Sequence, residues 1–218
     1  MISIILNAYD PTFWQRQMTM ACIAGIRKFT DQPYELIVVD NELKFPIRDE
    51  YKVLEPYTHI VNEVNKTCYE SYNQGAEVAK GEYLVFMQND VFVHERTINK
   101  LVDYLKDYDV AYPQQIPLHR EQVKELYENH EPMFGWRDAG MLAITRKAFD
   151  KTGGWDGRYR NLLGDKAFYL KIGDAGLSEV CTTDAIITHI MGANNWSKDK
   201  ELYDNEMNYD ANLEQGEK

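Results

Sequence analysis

Three polar side chains follow an apolar run near the middle of the chain, and their types suit the binding of a metal ion or a phosphate. Residues 83–87 are apolar and β-forming without alternation, which predicts a strand buried on both faces. Gln88, Asn89 and Asp90 come directly after it. Open α/β sheets place ligands at the carboxyl ends of such strands, where the Asp90 carboxylate could hold a divalent cation against a phosphate. Asn and Asp also favour ordinary turns, so this stretch alone leaves a turn and a metal site equally open.

The start of the chain predicts a strand, a helix and a second strand. Residues 2–6 and 34–39 are the two apolar runs, each of strand length. Asp10 followed by Pro11 predicts the beginning of the helix, because a capping side chain precedes a residue that has no amide hydrogen. The apolar stripe of this helix has spacings of four, four and three residues, and consists of Met18, Cys22, Ile26 and Phe29. A βαβ unit of this kind has parallel strands.

Both predicted strands end in polar residues. Because parallel strands end at the same edge of a sheet, we expect Tyr9 and Asp40 to lie on one rim. A carboxylate at the end of the second strand commonly meets a ribose or a base in nucleotide-binding sheets, although Asp40 could instead cap a loop. No glycine-rich turn follows the first strand, which excludes a dinucleotide or P-loop fingerprint.

The remaining elements continue the alternation of helices and strands. The sequence predicts helices at 64–80, 97–106 and 146–151, and strands at 110–112, 140–145 and 178–188. Residues 113–137 hold three prolines around a polar segment that we expect to be helical. A further helix should bury Leu163, Ala167 and Leu170, and the last strand should deliver His189 to its end.

Composition limits the classes of function. The chain has 218 residues and a net charge of −11, which argues against nucleic-acid binding and against a broad electrostatic dock on an anionic membrane. No apolar run approaches membrane-spanning length, and the first residues lack the basic region of a signal peptide. The three cysteines lie far apart and form no CxxC pair. We therefore expect a cytoplasmic protein with one domain at residues 1–203 and a flexible acidic tail at 204–218.

The chain resembles the family 2 glycosyltransferases in the order of its motifs over about residues 1–190. These motifs are ISIILNAYD, ELIVVDN, a helix running into GEYLVFMQND, then GGWD, LLGDKAFYLK and DAIITH. The resemblance implies an α/β structure of the single-domain GT-A type, with a mixed, mostly parallel sheet and helices on both faces. It also implies transfer of a sugar from a nucleotide diphosphate donor to an acceptor hydroxyl, usually with inversion. Uridine diphosphate sugars are the commonest donors in the family, and a saccharide is the expected acceptor.

Carried over by position, the resemblance assigns a nucleotide site. Tyr9 and Asp40, with Ala8 beside them, would hold the nucleobase and the ribose. Gln88 and Asn89 stand in the family's acidic triplet and would also contact the nucleotide. Gln88 departs from the family, because an amide replaces the first acid of that triplet.

The resemblance also assigns a metal site. Asp90 would bind manganese or magnesium as the cofactor, and the metal would bind the diphosphate. His189, at the end of the last strand, would be a second metal or phosphate contact. A carboxylate and an imidazole from two strand ends can together hold one hard cation, which stabilises charge developing on the diphosphate. The alternative for His189 is a structural histidine with satisfied hydrogen bonds.

For catalysis, the resemblance points to Asp165 as the base that accepts the proton of the acceptor hydroxyl. Trp155 would stack on the acceptor sugar, and Asp156 would bond its hydroxyls. Each has an alternative: Asp165 could serve only as a first-turn helix acid, and Trp155 could belong to the core. Gly164 and Ala167 replace family acids, which leaves open a non-catalytic protein that binds nucleotide sugars or glycans on a degenerate scaffold.

Several further residues carry weaker hypotheses. Lys198 and Lys200 could form a lid over the diphosphate or a solvated tail, and Arg137 could reach a phosphate or lie in solvent. The histidines expected at the surface are His59, His94, His119 and His130. A sugar nucleotidyltransferase is disfavoured, because that class needs a glycine-rich, basic loop after the first strand and NAYDPTFW has none.

Overall fold

The computed structural model describes residues 1–10, 12–41, 57–119, 140–159 and 163–191. The strands are β1 Ile2–Ala8, β2 Tyr34–Asn41, β3 Thr58–Asn62, β4 Tyr83–Gln88, β5 Val91–Val93, β6 Val110–His119, β7 Met141–Thr145 and β8 Glu179–Met191. The helices are α1 Phe13–Phe29, α2 Cys68–Val78, α3 Thr97–Tyr104, α4 Arg146–Thr152 and α5 Gly164–Asp174. None of these five helices is long and apolar enough to cross a bilayer.

All of these strands join one sheet in the order β3-β2-β1-β4-β7-β6-β8-β5. Four of the seven neighbouring pairs are parallel: β1 with β2, β1 with β4, β2 with β3, and β6 with β8. The other three pairs are antiparallel. The predicted βαβ unit is confirmed, because β1 and β2 flank α1 and lie side by side in parallel. The expected mixed, mostly parallel sheet is confirmed as well.

Helices cover both faces of this sheet, which explains why β1 is apolar at almost every position. All seven residues of β1 are buried. Ile4 and Leu6 pack on the face covered by α1 and α3, whereas Ile5 packs on the face covered by α2, α4 and α5. Successive side chains of a strand point to opposite faces, so a strand between two helix layers needs apolar residues at successive positions.

Helix α1 begins later than the sequence predicts. Thr12 is its N-cap, and the Thr12 side chain accepts a hydrogen bond from the backbone N–H of Gln15. The prediction that Asp10 caps this helix is wrong. The Asp10 carboxylate is buried and instead accepts a hydrogen bond from the Thr19 hydroxyl at 2.6 Å. A tertiary contact has therefore replaced the local capping preference.

Strand β6 is longer than predicted. The predicted strand stops at residue 112, but β6 continues through Pro113 and Pro117 to His119, so residues 113–119 of the segment predicted to hold a helix are strand. The pairing with β8 shifts its register between Tyr112 and Gln114, and such irregularities accommodate proline. Among the described residues, β6 beyond Ala111 pairs only with β8. Its other edge forms no described pairing, so a proline, which has no N–H group, can be tolerated on that edge. Residues 120–137 of that predicted segment lie outside the described ranges.

Helix α5 has its buried stripe one position away from the predicted one. Gly164, Phe168 and Ile172 are buried at spacings of four residues, whereas Leu170 is 58% exposed, so its predicted burial is wrong. A side chain at Gly164 would overlap the ring of Tyr69 on α2. The absence of a Cβ at this position lets the first turn of α5 pack directly on α2.

This packing gives a test with a matched control on the same helix. We expect Gly164→Ala to lower the free energy of unfolding by about 1–3 kcal/mol, because the added methyl group overpacks a buried contact. Gly173→Ala places its methyl group in open space and should raise the free energy of unfolding by about 0.5–1 kcal/mol through helix propensity. Urea denaturation measures both values. Equal effects of the two substitutions would contradict the packing described here.

Candidate functional site

The carboxyl ends of β1, β2 and β4 form one polar rim of the sheet. The register pairs Ala8 with Asp40 and Asn7 with Gln88. Tyr9 follows Ala8 directly, so the residues expected on one rim do lie together. Asn7 is buried, and its Oδ1 accepts no hydrogen bond from the described residues.

Asp40 is the acid of this rim, and its side chain is 0% exposed. Its Oδ2 lies 3.3 Å from Nε2 of His59 on β3, whereas its Oδ1 accepts no hydrogen bond within the described part of the chain. His59, which the sequence places at the surface, is only partly exposed, with 19% of its side chain accessible. A buried carboxylate is costly unless hydrogen-bond donors surround it, so His59 contributes directly to the stability of Asp40 in this position.

Asn89 and Asp90 form a turn between β4 and β5, and Asn89 anchors that turn. The Asn89 side chain is buried, and its Nδ2 donates to Oδ1 of Asp10 at 3.0 Å and lies 2.8 Å from Oγ1 of Thr19. The hydroxyl of Thr19 in turn donates to the same Asp10 oxygen. This anchoring network of Asp10, Thr19 and Asn89 ties the turn to α1 and to the end of β1. Because Nδ2 of Asn89 is used in this network, its Oδ1 is the side-chain atom left to contact a nucleotide.

Asp90 faces His189 across the pairing of β5 with β8. Their Oδ1 and Nε2 atoms are 3.5 Å apart, with 4% and 9% of the two side chains exposed. The backbone carbonyl of Asp90 accepts a hydrogen bond from the N–H of Ile190 at 2.9 Å, which fixes the two strands at this point. The turn and the metal site, which the sequence left as alternatives for Asp90, are therefore compatible. Asp90 lies in a turn and also faces His189, a second possible metal ligand.

The geometry of this pair suits one hard cation. Two donors that bind an octahedral magnesium or manganese ion at right angles lie about 3 Å apart, close to the observed separation. Nδ1 of His189 lies 3.3 Å from Oε1 of Gln115. If Nδ1 carries the proton and donates it to Gln115, Nε2 keeps its lone pair towards Asp90, which is the arrangement that metal-binding histidines use. No group of three or more acidic, histidine or cysteine side chains that could hold a metal occurs among the described residues. Substrate oxygens and water would complete such a coordination shell.

The buried thiol of Cys22 lies beside this turn. Burial raises the pKa of its thiol far above the usual range, and the carboxylates of Asp90 and Asp10 raise it further. The thiol therefore stays protonated and donates to the backbone carbonyl of Val91 at 3.2 Å. This cysteine therefore serves as a structural hydrogen-bond donor.

Asp165 lies in the first turn of α5, as the sequence predicts. It is partly exposed, and its Oδ1 accepts a hydrogen bond from the backbone N–H of Lys166 at 2.8 Å. Helix α2 connects the beginning of α5 to the rim. Gly164 of α5 packs on Tyr69 of α2, and Sγ of the neighbouring Cys68 lies 3.8 Å from Nε2 of Gln88 at the rim. Both the helix-acid and the catalytic interpretations of Asp165 fit this position.

Trp155 belongs to the core. It is 3% exposed, and the ring of Phe168 stacks on it with centroids 3.9 Å apart and planes at 17°. Further rings within 6 Å of Trp155 are Tyr69, Tyr72 and Phe86. The structure therefore favours the core interpretation over the sugar-stacking one, because these neighbours cover the ring.

Asp156, next to Trp155, binds Arg158 with its Oδ2 2.6 Å from Nη2. This hydrogen-bonded guanidinium lowers the pKa of the Asp156 carboxyl below its usual range. Asp156 remains a predicted acceptor contact. Arg137, Lys198 and Lys200, which carry weaker predictions, lie outside the described residues, and so does the predicted flexible tail at 204–218.

Sequence reasoning missed four residues that shape this site. They are Asn7, which contributes a buried polar atom at the rim, and Thr19, His59 and Gln115, which lie at hydrogen-bonding distance from the predicted site residues Asn89, Asp40 and His189. Asn7 gave a local signal, as a polar residue at the end of an apolar strand. The other three depend on which strands and helices are neighbours in space.

A family model and two known proteins that match this chain are all described as glycosyltransferases. The model of a family described as "Glycosyl transferase family 2" matches residues 3–165. A protein of Haemophilus influenzae named "Uncharacterized glycosyltransferase" is 26% identical over 186 residues, which cover 79% of this chain and 62% of that protein. Glycosyltransferase GlyG of Streptococcus pneumoniae is 26% identical over 112 residues, covering 50% of this chain and 37% of GlyG. This chain thus spans less than two thirds of the length of either relative.

The anchoring network can be tested at Thr19, which is fully buried. We expect Thr19→Val, which keeps the shape, to lower the free energy of unfolding by about 1–3 kcal/mol, because it removes a hydrogen bond to a buried carboxylate. Thr19→Ser keeps the hydroxyl and loses only a methyl group, at a cost of about 1 kcal/mol. Denaturation in urea ranks the variants. If Thr19→Val were as stable as the unmodified protein while Thr19→Ser were less stable, the Thr19 hydroxyl would not contribute to stability. That result would contradict the role given to the anchoring network.

Proposed function

The chain belongs to glycosyl transferase family 2, and we propose that it transfers a sugar from a nucleoside diphosphate donor to a hydroxyl group of a saccharide. The motif order in the sequence identified the family correctly. The observation that carries the proposed activity is the pair of Asp90 and His189, 3.5 Å apart beside the polar rim. A buried carboxylate and an imidazole at this edge of an α/β sheet suit a metal-bound diphosphate.

The nucleoside of the donor would lie along the rim, against Ala8, Tyr9 and Asp40. Three buried oxygens at the ends of β1, β2 and β4 accept no hydrogen bond from described residues: Oδ1 of Asn7, of Asp40 and of Asn89. A buried polar atom left in this way costs about 1–3 kcal/mol, so a ligand rich in hydroxyl and N–H groups gains by binding there. A nucleoside is such a ligand. We favour a uridine diphosphate sugar because it is the commonest donor in the family, with Gln88 as a further contact.

Asp90 and His189 would hold the manganese or magnesium ion. When bound, the ion supplies a Lewis acid that stabilises negative charge on the departing diphosphate. Gln115 orients the His189 ring so that its Nε2 faces Asp90. The anchoring network holds the turn that carries Asp90, and the N–H of Ile190 bonds the Asp90 carbonyl, so the two ligands would be positioned before the ion arrives.

Asp165 would act as the general base. In an inverting transfer the acceptor oxygen bonds to the anomeric carbon as the bond from that carbon to the diphosphate breaks, and the acceptor proton passes to the Asp165 carboxylate. The amino end of α5 favours an anion at this position, which keeps the carboxylate ready to accept a proton. Asp156 remains the proposed contact for acceptor hydroxyls.

A second candidate is a non-catalytic nucleotide-sugar or glycan-binding protein in the same family. It is favoured by Gly164, where the family has an acid, since Tyr69 occupies the space next to that position and a side chain there would overlap its ring. The acidic composition and the dispersed cysteines suit the cytoplasm for either function.

We expect Asp90→Ala to abolish the part of nucleotide affinity that depends on manganese, because His189 alone leaves the cation without a carboxylate. Titration calorimetry with uridine diphosphate, in manganese and in a chelator, measures that part directly. Asp103→Ala, which removes an exposed carboxylate on α3, should behave as the unmodified protein does. Manganese-dependent affinity that survives in Asp90→Ala would contradict the metal assignment.

We expect Asp165→Asn to keep nucleotide affinity and to lose transfer by about 10²–10⁴-fold, as enzymes do when a general base is removed. Release of the nucleoside diphosphate in the presence of saccharide acceptors reports the rate. Asp174→Asn, at the exposed end of the same helix, is the control and should be fully active. Near-normal turnover by Asp165→Asn would remove Asp165 from the mechanism. No turnover by the unmodified protein, with intact nucleotide binding, would favour the non-catalytic candidate.

A further inference from the structure

We propose that His59 is a positioning residue that holds one oxygen of Asp40 so that the other accepts a hydrogen bond from the bound nucleoside. This inference rests on the proposed function, because it concerns the nucleoside part of the same site. It adds a histidine that the motifs of the sequence do not mark.

The pairing of β2 with β3 brings the two side chains together. The register places His59 opposite Val38, and Asp40 follows two residues later on β2. Side chains two residues apart on a strand lie on the same face, so His59 and Asp40 share a face of the sheet. The ring of Tyr57, two residues before His59, meets the imidazole edge-on with centroids 5.8 Å apart. The imidazole is thus held between Tyr57 and Asp40.

The two oxygens of Asp40 have different surroundings. Oδ2 lies 3.3 Å from Nε2 of His59, at hydrogen-bonding distance, whereas Oδ1 receives no hydrogen bond from the described residues. The carboxylate is fully buried, so a second donor would be strongly favoured at Oδ1. By fixing Oδ2, His59 stops the carboxylate from rotating and keeps Oδ1 in a single place for a nucleoside N–H or hydroxyl group.

The position of this pair predicts an effect on binding and not on the chemical step. Asp40 is at the end of β2 and the turn with Asp90 follows β4, with β1 between the two strands. Two strand spacings separate these positions by roughly 10 Å. Loss of the His59 contact should therefore raise the KM for the donor and the Kd for the nucleotide, and leave kcat unchanged.

The test compares His59→Leu with His59→Gln, whose amide nitrogen can take the place of Nε2. We expect His59→Leu to weaken the binding of uridine diphosphate in manganese on the order of 10-fold, as loss of a hydrogen bond to a charged group does. His59→Gln should bind within about threefold of the unmodified protein, since it restores the donor. Should the leucine variant fail to fold, His59→Asn replaces it, because its shorter amide is polar but stops short of Oδ2.

A double-mutant cycle with Asp40→Asn separates positioning from general damage. If His59 acts through Asp40, adding His59→Leu to Asp40→Asn should weaken binding little further. Binding by His59→Leu that equals that of the unmodified protein would overturn the inference alone, and so would a glutamine variant as weak as the leucine one. An unmodified protein that binds none of the uridine, guanosine and thymidine diphosphates would overturn the proposed function, and the role of His59 with it.

Discussion

A buried network of hydrogen bonds between Asp10, Thr19 and Asn89 holds this site together. A carboxylate inside a protein needs donors close to it, and Asp10 has two of them on a single oxygen. These donors come from α1 and from the turn after β4, so the turn meets residues at the end of β1 and on α1 that lie 70 or more residues earlier in the chain. The conformation of the turn follows from this contact, and with it the direction in which Asp90 faces His189.

In the proposed site, different elements that the sheet brings to one edge would perform different tasks. β1 and β2 supply the rim on which a nucleoside would lie, with Asp40 held by His59. The ends of β4 and β8 supply the pair that suits a cation. Helix α5 supplies Asp165, and its packing on Tyr69 fixes how closely it approaches α2. Strands, a helix and a turn fixed by buried hydrogen bonds carry these side chains, an arrangement that favours pre-organised binding.

The sequence was sufficient where local pattern and global fold agree. Buried parallel strands are apolar at successive positions, and polar residues mark their carboxyl ends, so β1, β2, β4 and the shared rim were predictable. The failures occur where a distant contact overrides a local preference. Asp10 is a good helix cap, but it bonds Thr19 instead. Pro113 argues against a strand, yet a register shift accommodates it in β6.

Two side chains show the same limit at the site itself. The sequence leaves Trp155 open between a sugar platform and the core, and the rings that cover it come from α2, β4 and α5. His59 has no motif around it, and only the pairing of β3 with β2 brings it to Asp40. Such contacts become visible once the order of strands is known, because that order decides which residues are neighbours.

The most direct test of the central claim is a thermal-shift panel of the unmodified protein. It would use uridine, guanosine and thymidine diphosphates and cytidine monophosphate, each with and without manganese. A ligand that binds only the native state raises the melting temperature. We predict that one nucleoside diphosphate raises it only when manganese is present, which would identify the nucleobase of the donor. No shift with any nucleotide, in either condition, would contradict a metal-bound nucleotide-sugar site.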